Sequence, residues 1–422
     1  MSYRKTSCDS ADLKDRFHRL FLRNYLRNHL LRICAISVTA QILLVPAVMA
    51  QPDPKWIRVA VVQDRPTVNL QIHGRFTMSA LHTGEPIQQE RRLPLLEIHG
   101  VPEGLAIGGT VIPFFGVRIE PAGDATINLN GQRLRGTIEI VRQKNLKLLV
   151  INHLALEDYL RGVLSKEAPD YWPLEALKAI AIAARTYAVY QRYTKEEGSF
   201  DVSGDVMSQD YGGKTSEKIG TTRAVKATAG WVLLYKGKLF PTFYHSTCGG
   251  MTEHARVMGP FDLEPLRGQI VCNFCSGSPF YRWQRRLTKA DVAWALRKSA
   301  HGSIGTVQDV RVTKRTAAGR VEQLALVGSQ RTVRLSGYEF RALFGFDSIR
   351  SPAFSVTQVE DGFLIHGRGW GHGVGMCQWG AAELARRGLS APEILAFYYP
   401  GAELVQIREL TEHPIEAVKG GS

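Results

Sequence analysis

The segment from Asp158 to Ala188 holds the side chains whose types and spacing fit a catalytic site. Glu167 lies just ahead of Pro169, between two stretches with helical spacing. Proline steers the residue before it out of the helical conformation, so the chain is expected to turn here. A carboxyl group on such a turn can point into a cleft and transfer a proton to or from a substrate. Glu167 is therefore the candidate catalytic residue.

Two cations follow Glu167 on the next predicted helix. Lys178 and Arg185 are seven residues apart, which places them within about 20° of each other on a helix, at the border of its apolar stripe. A pair of cations on one edge can bind an anionic group of a substrate. The alternative is that both are surface residues with their apolar stems on the protein and that Glu167 is a solvated turn residue.

The pattern of apolar residues predicts the elements that position these side chains. Residues 56–152 contain short, partly alternating apolar runs separated by Gly, Pro and Asn, which is typical of strands. The chain then changes to helical spacing, and Pro173–Tyr193 begins with proline and carries an apolar stripe. Residues 225–380 return to strands, with one helix near Thr288–Lys298. A last helix is indicated by the capping box at Ser390–Glu393.

This order of elements predicts an α+β fold, with mixed strands and helices around a central cleft and a β-rich N-terminal part. The predicted domains are a signal peptide or N-terminal anchor over residues 1–50, a β-rich domain over 51–152, a domain with the candidate site over 153–410, and a flexible tail over 411–422.

The composition and the first fifty residues restrict the class of protein. Apolar residues make up 44% and charged residues 22% of 422, as in ordinary globular proteins. A basic segment precedes the uncharged run Ile33–Val45, and small residues Val48 and Ala50 suit a signal peptidase. We expect export to the periplasm or cell envelope, with the leader either cleaved after Ala50 or kept as an anchor, which would be the chain's contact with the membrane.

The net charge of +14 indicates an anionic partner. The leader carries part of this positive charge. The smaller net charge of the rest of the chain fits adhesion to an anionic cell envelope. The sequence contains no helix-turn-helix or zinc-finger spacing and no basic stripe interleaved with aromatic residues. Nucleic acid is therefore not expected as a partner.

A glycine-rich segment near the C-terminus is a second candidate site. Glycine occupies every odd position from Gly367 to Gly375, and Trp370 and His372 lie between these glycines. On a strand, this alternation would leave one face as bare backbone, and Trp370 on the other face could stack on a sugar ring. Tight packing of the bare face against a neighbouring strand is the alternative.

Four of the six cysteines lie beyond the leader: Cys248, Cys272, Cys275 and Cys377. Cys272 and Cys275 form a C-x-x-C pair, and His245 precedes Cys248 by three residues. Four thiolates, or three thiolates and His245, would suit a structural zinc ion. One or two disulfides are the alternative outside the cytoplasm. The expected chemistry requires no cofactor.

Several motifs resemble the stage II sporulation protein D family, which includes amidase-enhancer proteins. The similar segments occur in the family's order and extend from roughly residue 56 to 405: Leu156–Tyr187, Ser208–Gly213, Phe243–Gly250, Gly367–Ala381 and Tyr398–Gly401. The resemblance implies a lytic transglycosylase, which cuts the glycan strands of peptidoglycan between N-acetylmuramic acid and N-acetylglucosamine and leaves a 1,6-anhydro end. It implies Glu167 as the catalytic acid and Lys178 and Arg185 as its supporting cations.

The remaining candidate residues for substrate binding lie in these motifs: Gln209, Tyr211, Trp370 and His372. A single acid suffices for this reaction because the muramyl 6-hydroxyl is the nucleophile. Cations beside a general acid would lower its pKa, so we expect Lys178 and Arg185 to pair with the muramyl lactate carboxylate, which is free where the stem peptide has been removed.

The sequence also allows two other functions. The chain could be a wall-binding enhancer of an amidase with no turnover of its own. It could also be a zinc hydrolase, against which the absence of an H-E-x-x-H pattern counts. The zinc site of some family members corresponds to the segment Phe200–Gly213, which contains neither His nor Cys in this chain.

Overall fold

The computed structural model describes residues 53–195, 198–205, 208–410 and 416–418. Their contacts divide the chain into two units. Of the described residues, unit 1 contains those up to Glu167 together with Gln191–Thr222, and unit 2 contains Ala168–Tyr190 and those from Arg223 onwards. The predicted leader lies outside the described residues. Within the described ranges, no helix is both long and apolar enough to cross a membrane.

Unit 1 contains one large sheet, in which antiparallel pairing predominates. Its strand order is β11-β1-β10-β9-β6-β2-β3-β4-β5, with β7 joined to β2 and β8 joined to β7. The strands are β1 Trp56–Arg65, β2 Thr67–Ala80, β3 Pro86–Val101, β4 Gly104–Ile107, β5 Thr110–Ile112, β6 Gly116–Pro121, β7 Thr126–Leu129, β8 Gln132–Leu134, β9 Thr137–Arg142, β10 Leu148–Ala155 and β11 Val202–Ser203.

The long strand β2 shows why this sequence forms a bent sheet. Its residues alternate between buried and exposed positions, with Leu70, Ile72 and Met78 buried. The pairing with β3 shifts register between His73 and Phe76, and Gly74 between them has a φ of 99°. A Cβ at Gly74 would lie 2.7 Å from Ala125 Cα, so only glycine permits the bend.

The described part of unit 2 contains four small sheets, with the strand orders β13-β12-β22, β14-β21, β15-β20-β19 and β16-β17-β18. The last two share one apolar core, which includes Trp283, Leu324, Phe340 and Phe363. The strands are β12 Trp231–Tyr235, β13 Lys238–Leu239, β14 Tyr244–His245, β15 Arg282–Thr288, β16 Val307–Arg315, β17 Val321–Gly328, β18 Thr332–Leu335, β19 Phe354–Val359, β20 Gly362–Arg368, β21 Met376–Cys377 and β22 Glu403–Gln406.

In chain order the helices are α1 Leu156–Glu167, α2 Leu174–Thr194, α3 Gly213–Ser216, α4 Ile219–Ala227, α5 Lys289–Lys298, α6 Gly337–Phe344, α7 Gln378–Arg386, α8 Ala391–Tyr398 and α9 Ile407–Leu410. Helices α1, α2, α5 and α8 lie where the sequence predicted helical structure, and the other helices were not predicted. Thr288 caps α5 and Ser390 caps α8, each through a reciprocal capping box. Helix α2 follows Pro173 as predicted.

The α+β class and the β-rich N-terminal part are confirmed. The two units divide after Glu167, so α1 groups with the N-terminal sheet, whereas the sequence suggested a boundary after residue 152. The flexible tail stays a prediction, and the structure describes only residues 416–418 of it. Ala417 pairs with Leu239, and Tyr190 Oη donates a hydrogen bond to the Val418 carbonyl oxygen at 3.0 Å.

Candidate functional site

Glu167 is the last residue of α1 and is partly buried. The helix ends there as predicted, because the chain turns through Ala168 and Pro169. The preceding residue is Lys166, whose Nζ forms an ion pair with Asp210 Oδ2 at 3.3 Å, and both side chains are about 40% exposed. The carboxyl group therefore lies at a helix terminus whose neighbouring side chains reach solvent.

Helix α1 is fixed within unit 1 by buried aromatic and amide side chains. Tyr159 Oη donates to Gln209 Oε1 at 3.0 Å, and the rings of Tyr159 and Tyr211 lie 5.3 Å apart. Tyr211 Oη donates to Asn152 Oδ1 at 3.2 Å, and burial raises the pKa of Tyr211. A Cβ at Gly162 would lie 2.6 Å from the Tyr211 ring, so glycine allows this close approach.

Gln209 and Tyr211, which the sequence nominated for substrate binding, are thus both buried and hold α1. Only 1% of Gln209 and 4% of Tyr211 is exposed. The structure assigns them a supporting contact with the helix that ends at Glu167. Their contact with substrate stays a prediction.

The two candidate cations on α2 differ in their surroundings. Lys178 Nζ forms an ion pair with Glu175 Oε1 at 2.7 Å, which lowers the pKa of Glu175, and its side chain is 25% exposed. Arg185 is fully buried, and its guanidinium donates to the carbonyl oxygens of Trp231 at 3.2 Å and Val225 at 3.4 Å. The alternative that Arg185 is a surface residue is therefore wrong.

The physical reason lies in the composition of α2. Every residue from Ala179 to Thr186 is buried, so the helix is covered on all sides along this stretch and has no solvent-facing border there. The pairing of Lys178 and Arg185 with a substrate carboxylate stays a prediction.

The glycine-rich segment of unit 2 is an irregular loop, which corrects the prediction of a strand. Strand β20 ends at Arg368, and the four following odd-numbered glycines all have positive φ values, between 69° and 110°. These backbone conformations are incompatible with a strand of period two. The alternative of tight packing describes the segment better: a Cβ at Gly375 would lie 1.9 Å from the Phe243 carbonyl oxygen.

Trp370 and His372 lie on this loop, against neighbours within unit 2. The Trp370 ring packs edge-on against Phe280 with centroids 4.3 Å apart, and Arg350 lies over it at 5.7 Å. His372 Nδ1 accepts a hydrogen bond from the Val374 backbone N–H at 3.0 Å, and its ring lies 5.5 Å from His245. Sugar binding by either residue stays a prediction.

Both imidazoles are held in the neutral form. Burial is the main reason that the pKa of His372 is lowered to about 3, and the positive charge of Arg341 adds to this effect. Burial and the neighbouring His372 lower the pKa of His245 well below its usual value, and His245 Nδ1 bonds to the Val374 carbonyl oxygen at 3.0 Å. Both side chains are therefore expected to be neutral at neutral pH.

A buried ion pair, which the sequence reading missed, supports the same loop. Arg320 Nη2 donates to the carbonyl oxygens of Cys248 at 2.8 Å and Met251 at 2.9 Å, and its Nη1 lies 3.9 Å from Glu253 Oε2. A Cβ at Gly373 would lie 2.4 Å from the Arg320 guanidinium. Arg320 and Glu253 belong to no recognisable spacing pattern; the only available signal was Glu253's place just after the Phe243–Gly250 motif.

The four predicted cysteines come together in unit 2. Cys248, Cys272, Cys275 and Cys377 are all buried and unbridged, and their sulfur atoms lie within 4.8 Å of one another. His245 is not part of this group. The predicted grouping of the four sulfur atoms is therefore present in the structure.

Two family models match parts of the chain. Residues 144–235, which include Glu167, Lys178 and Arg185, match the model described as Stage II sporulation protein. Residues 273–375 match a domain of unknown function, DUF8618.

Curated relatives extend this similarity over most of the chain. An uncharacterized protein of Brachyspira hyodysenteriae is 33% identical over 291 residues, covering 67% of this chain and 75% of that protein. Stage II sporulation protein D of Bacillus subtilis is 29% identical over 270 residues, covering 60% of this chain and 75% of that protein. The amidase enhancer of Bacillus subtilis is 28% identical over 335 residues, which cover 68% of this chain but only 46% of that protein.

The environments of Arg185 and Lys178 predict different effects on stability. Arg185→Met should lower the free energy of unfolding by about 3 kcal/mol, because buried carbonyl groups lose a charged donor. Lys178→Met should cost less than about 1 kcal/mol, because its ion pair is partly exposed. Urea denaturation followed by circular dichroism measures both values. Similar losses in the two variants would contradict the buried assignment of Arg185.

The neutral histidines predict that stability falls at acidic pH. Between the ordinary pKa of 6.5 and the folded value of about 3, His372 binds a proton only in the unfolded chain, so protons favour unfolding. At about pH 5 this should cost about 2 kcal/mol relative to neutral pH. His372→Asn keeps an acceptor for the Val374 N–H and should remove this part of the loss. Urea denaturation at both pH values tests this, and an unchanged difference in the variant would contradict it.

Proposed function

Because this chain belongs to the stage II sporulation protein D family, we propose that it is a lytic transglycosylase that cleaves the glycan strands of peptidoglycan, with Glu167 as its catalytic acid. Membership of the family supports a role in the cell wall. The observation that carries the finer proposal is the position of Glu167, a partly buried residue at the end of a helix that buried side chains hold in place.

Glu167 has the surroundings that proton transfer needs. The fixed helix removes most of the freedom of the backbone that carries the carboxyl group, so little entropy is lost when substrate and acid are aligned. Partial burial leaves part of the residue accessible to a substrate.

The proposed reaction balances with this single carboxyl group. Glu167 gives its proton to the oxygen that links N-acetylmuramic acid to N-acetylglucosamine, and the bond from the muramyl C1 to that oxygen breaks. The muramyl 6-hydroxyl then bonds to C1, and the Glu167 carboxylate takes the proton from that hydroxyl. The acid is restored, and the muramyl end becomes a 1,6-anhydro ring. No second carboxylate is needed, in contrast to glycosidases that use water.

A second function, stimulation of an amidase without turnover, is favoured by one specific observation. The relative named amidase enhancer matches 68% of this chain. In this alternative the protein binds peptidoglycan and raises the activity of a separate amidase that removes stem peptides. Both functions require export and binding to the wall, and they differ in the product formed by the purified protein.

Digestion of purified glycan distinguishes the two functions. The wild-type protein should convert peptide-free glycan strands into fragments with anhydromuramic ends, which are detected by mass spectrometry. Glu167→Gln should lower the rate by at least about 100-fold, because the amide cannot donate the proton. Glu103→Gln is the matched control, since Glu103 is exposed in the turn between β3 and β4 and its loss removes the same charge. We expect this control to retain full activity.

The same assay identifies the alternative. The enhancer function would be supported by two results together. The glycan would stay intact with folded wild-type protein, and the protein would speed peptide release by an added amidase. These results would contradict the transglycosylase proposal. Intact sacculi and peptide-free strands are compared in parallel. We expect faster cleavage of the peptide-free strands, because Lys178 and Arg185 are predicted to pair with the muramyl lactate carboxylate, which is free only there. Equal cleavage of the two substrates would remove that preference and leave the catalytic assignment of Glu167 intact.

A further inference from the structure

We propose that Cys248, Cys272, Cys275 and Cys377 bind one structural Zn²⁺ ion as four thiolates. Their sulfur atoms all lie within 4.8 Å of one another, and Cys248 Sγ and Cys275 Sγ are 3.4 Å apart. In a tetrahedral zinc site with Zn–S bonds of about 2.3 Å, the sulfur atoms are about 3.8 Å apart. The group therefore needs only small side-chain adjustments to close around the ion.

The arrangement of the sulfur atoms favours a metal over disulfides. A disulfide requires two sulfur atoms about 2.05 Å apart, and it does not require a third and a fourth sulfur atom beside them. Here one sulfur comes from each end of the turn Cys272–Cys275, and the other two come from β21 and the segment after β14. Mutual proximity of all four is what tetrahedral coordination requires.

Donors to the sulfur atoms supply the outer shell that thiolate ligands need. The backbone N–H of Gly250 points to Cys248 Sγ at 3.4 Å, and that of Cys248 points to Cys377 Sγ at 3.2 Å. Tyr398 Oη lies 3.2 Å from Cys272 Sγ. A Cβ at Gly380 would lie 2.0 Å from Tyr398 Oη and 2.8 Å from Cys272 Sγ, so glycine keeps space open for both. Such donors offset the excess negative charge of a tetrathiolate site.

The nature of the ligands selects zinc and a structural role. Thiolates are soft ligands that bind Zn²⁺ strongly, and four protein ligands leave no position for a substrate or water. Binding is a proton exchange without oxidation: four thiols lose four protons, and four Zn–S bonds form. All four ligands are buried, which isolates the site from solvent. The proposed ion therefore takes no part in the acid chemistry proposed for Glu167.

The ion would join segments that are distant in the sequence. Cys272 is 24 residues from Cys248, and Cys377 is 129 residues from Cys248. Coordination at one point closes both loops and restricts the unfolded chain, which stabilises the folded unit. It also fixes the end of the glycine-rich loop against the segment that follows β14.

Metal analysis of the full-length protein, purified without chelator or added metal, tests the proposal. We expect one zinc per chain by inductively coupled plasma mass spectrometry. Alkylation of the denatured protein without reductant should modify all four cysteines, as identified by peptide mapping. Replacement of zinc by Co²⁺ should give the absorption of tetrahedral thiolate coordination. Cys377→Ser should lose most of the zinc, whereas the control double variant Cys8→Ser/Cys34→Ser should keep it.

Each opposite outcome overturns the proposal. Disulfide-linked peptides containing Cys248, Cys272, Cys275 or Cys377, a protein without metal, or one iron per chain in place of zinc would each refute a zinc tetrathiolate. The wild-type measurements decide the question even if Cys377→Ser fails to fold. Full zinc content in a folded Cys377→Ser variant would also overturn the assignment of the ligands.

Discussion

The close approach of two backbone segments is the constraint on which much of unit 2 depends. The loop after β20 runs beside the segment from Phe243 to Glu253, and Gly375 lies so near the Phe243 carbonyl oxygen that no Cβ fits between them. Four glycines with positive φ make this path possible. The buried Arg320 donates hydrogen bonds to the carbonyl oxygens of Cys248 and Met251, and the four cysteines meet at the end of the same contact.

In unit 1, buried contacts fix the helix that ends at Glu167. Tyr159, Gln209 and Tyr211 form a buried chain of contacts from α1 to Asn152 on β10. Buried polar groups are stable only when they are hydrogen-bonded, so these residues also determine which rotation of α1 is allowed. The orientation of the helix in turn sets the direction in which its last residue points.

The sequence predicted those features that arise from local patterns. Ser390 was recognisable as a helix cap, and the alternating runs before residue 152 indicated strands, because both signals depend on neighbouring residues. The glycine-rich segment was misread because a spacing of two residues is shared by strands and by this loop. Only the backbone dihedral angles distinguish the two structures.

Long-range packing explains what the sequence left undetermined. Periodicity placed Arg185 on an edge of α2, but it carried no information that neighbouring segments would cover that edge. Arg320 and Glu253 are single charged residues 67 positions apart in the numbering, and no local pattern connects them. The cysteines could be grouped because their chemistry restricts the possibilities to metal or disulfide, although nothing in the spacing of Cys377 places it beside Cys248.

The central claim is that one carboxyl group suffices because the substrate supplies its own nucleophile. Digestion of peptide-free glycan in water enriched in ¹⁸O tests this claim most directly. If the muramyl 6-hydroxyl attacks C1, the new muramyl ends will contain no ¹⁸O and will be lighter by one water than hydrolysed ends. Incorporation of one ¹⁸O atom at each new muramyl end would show that water is the nucleophile and would contradict the account.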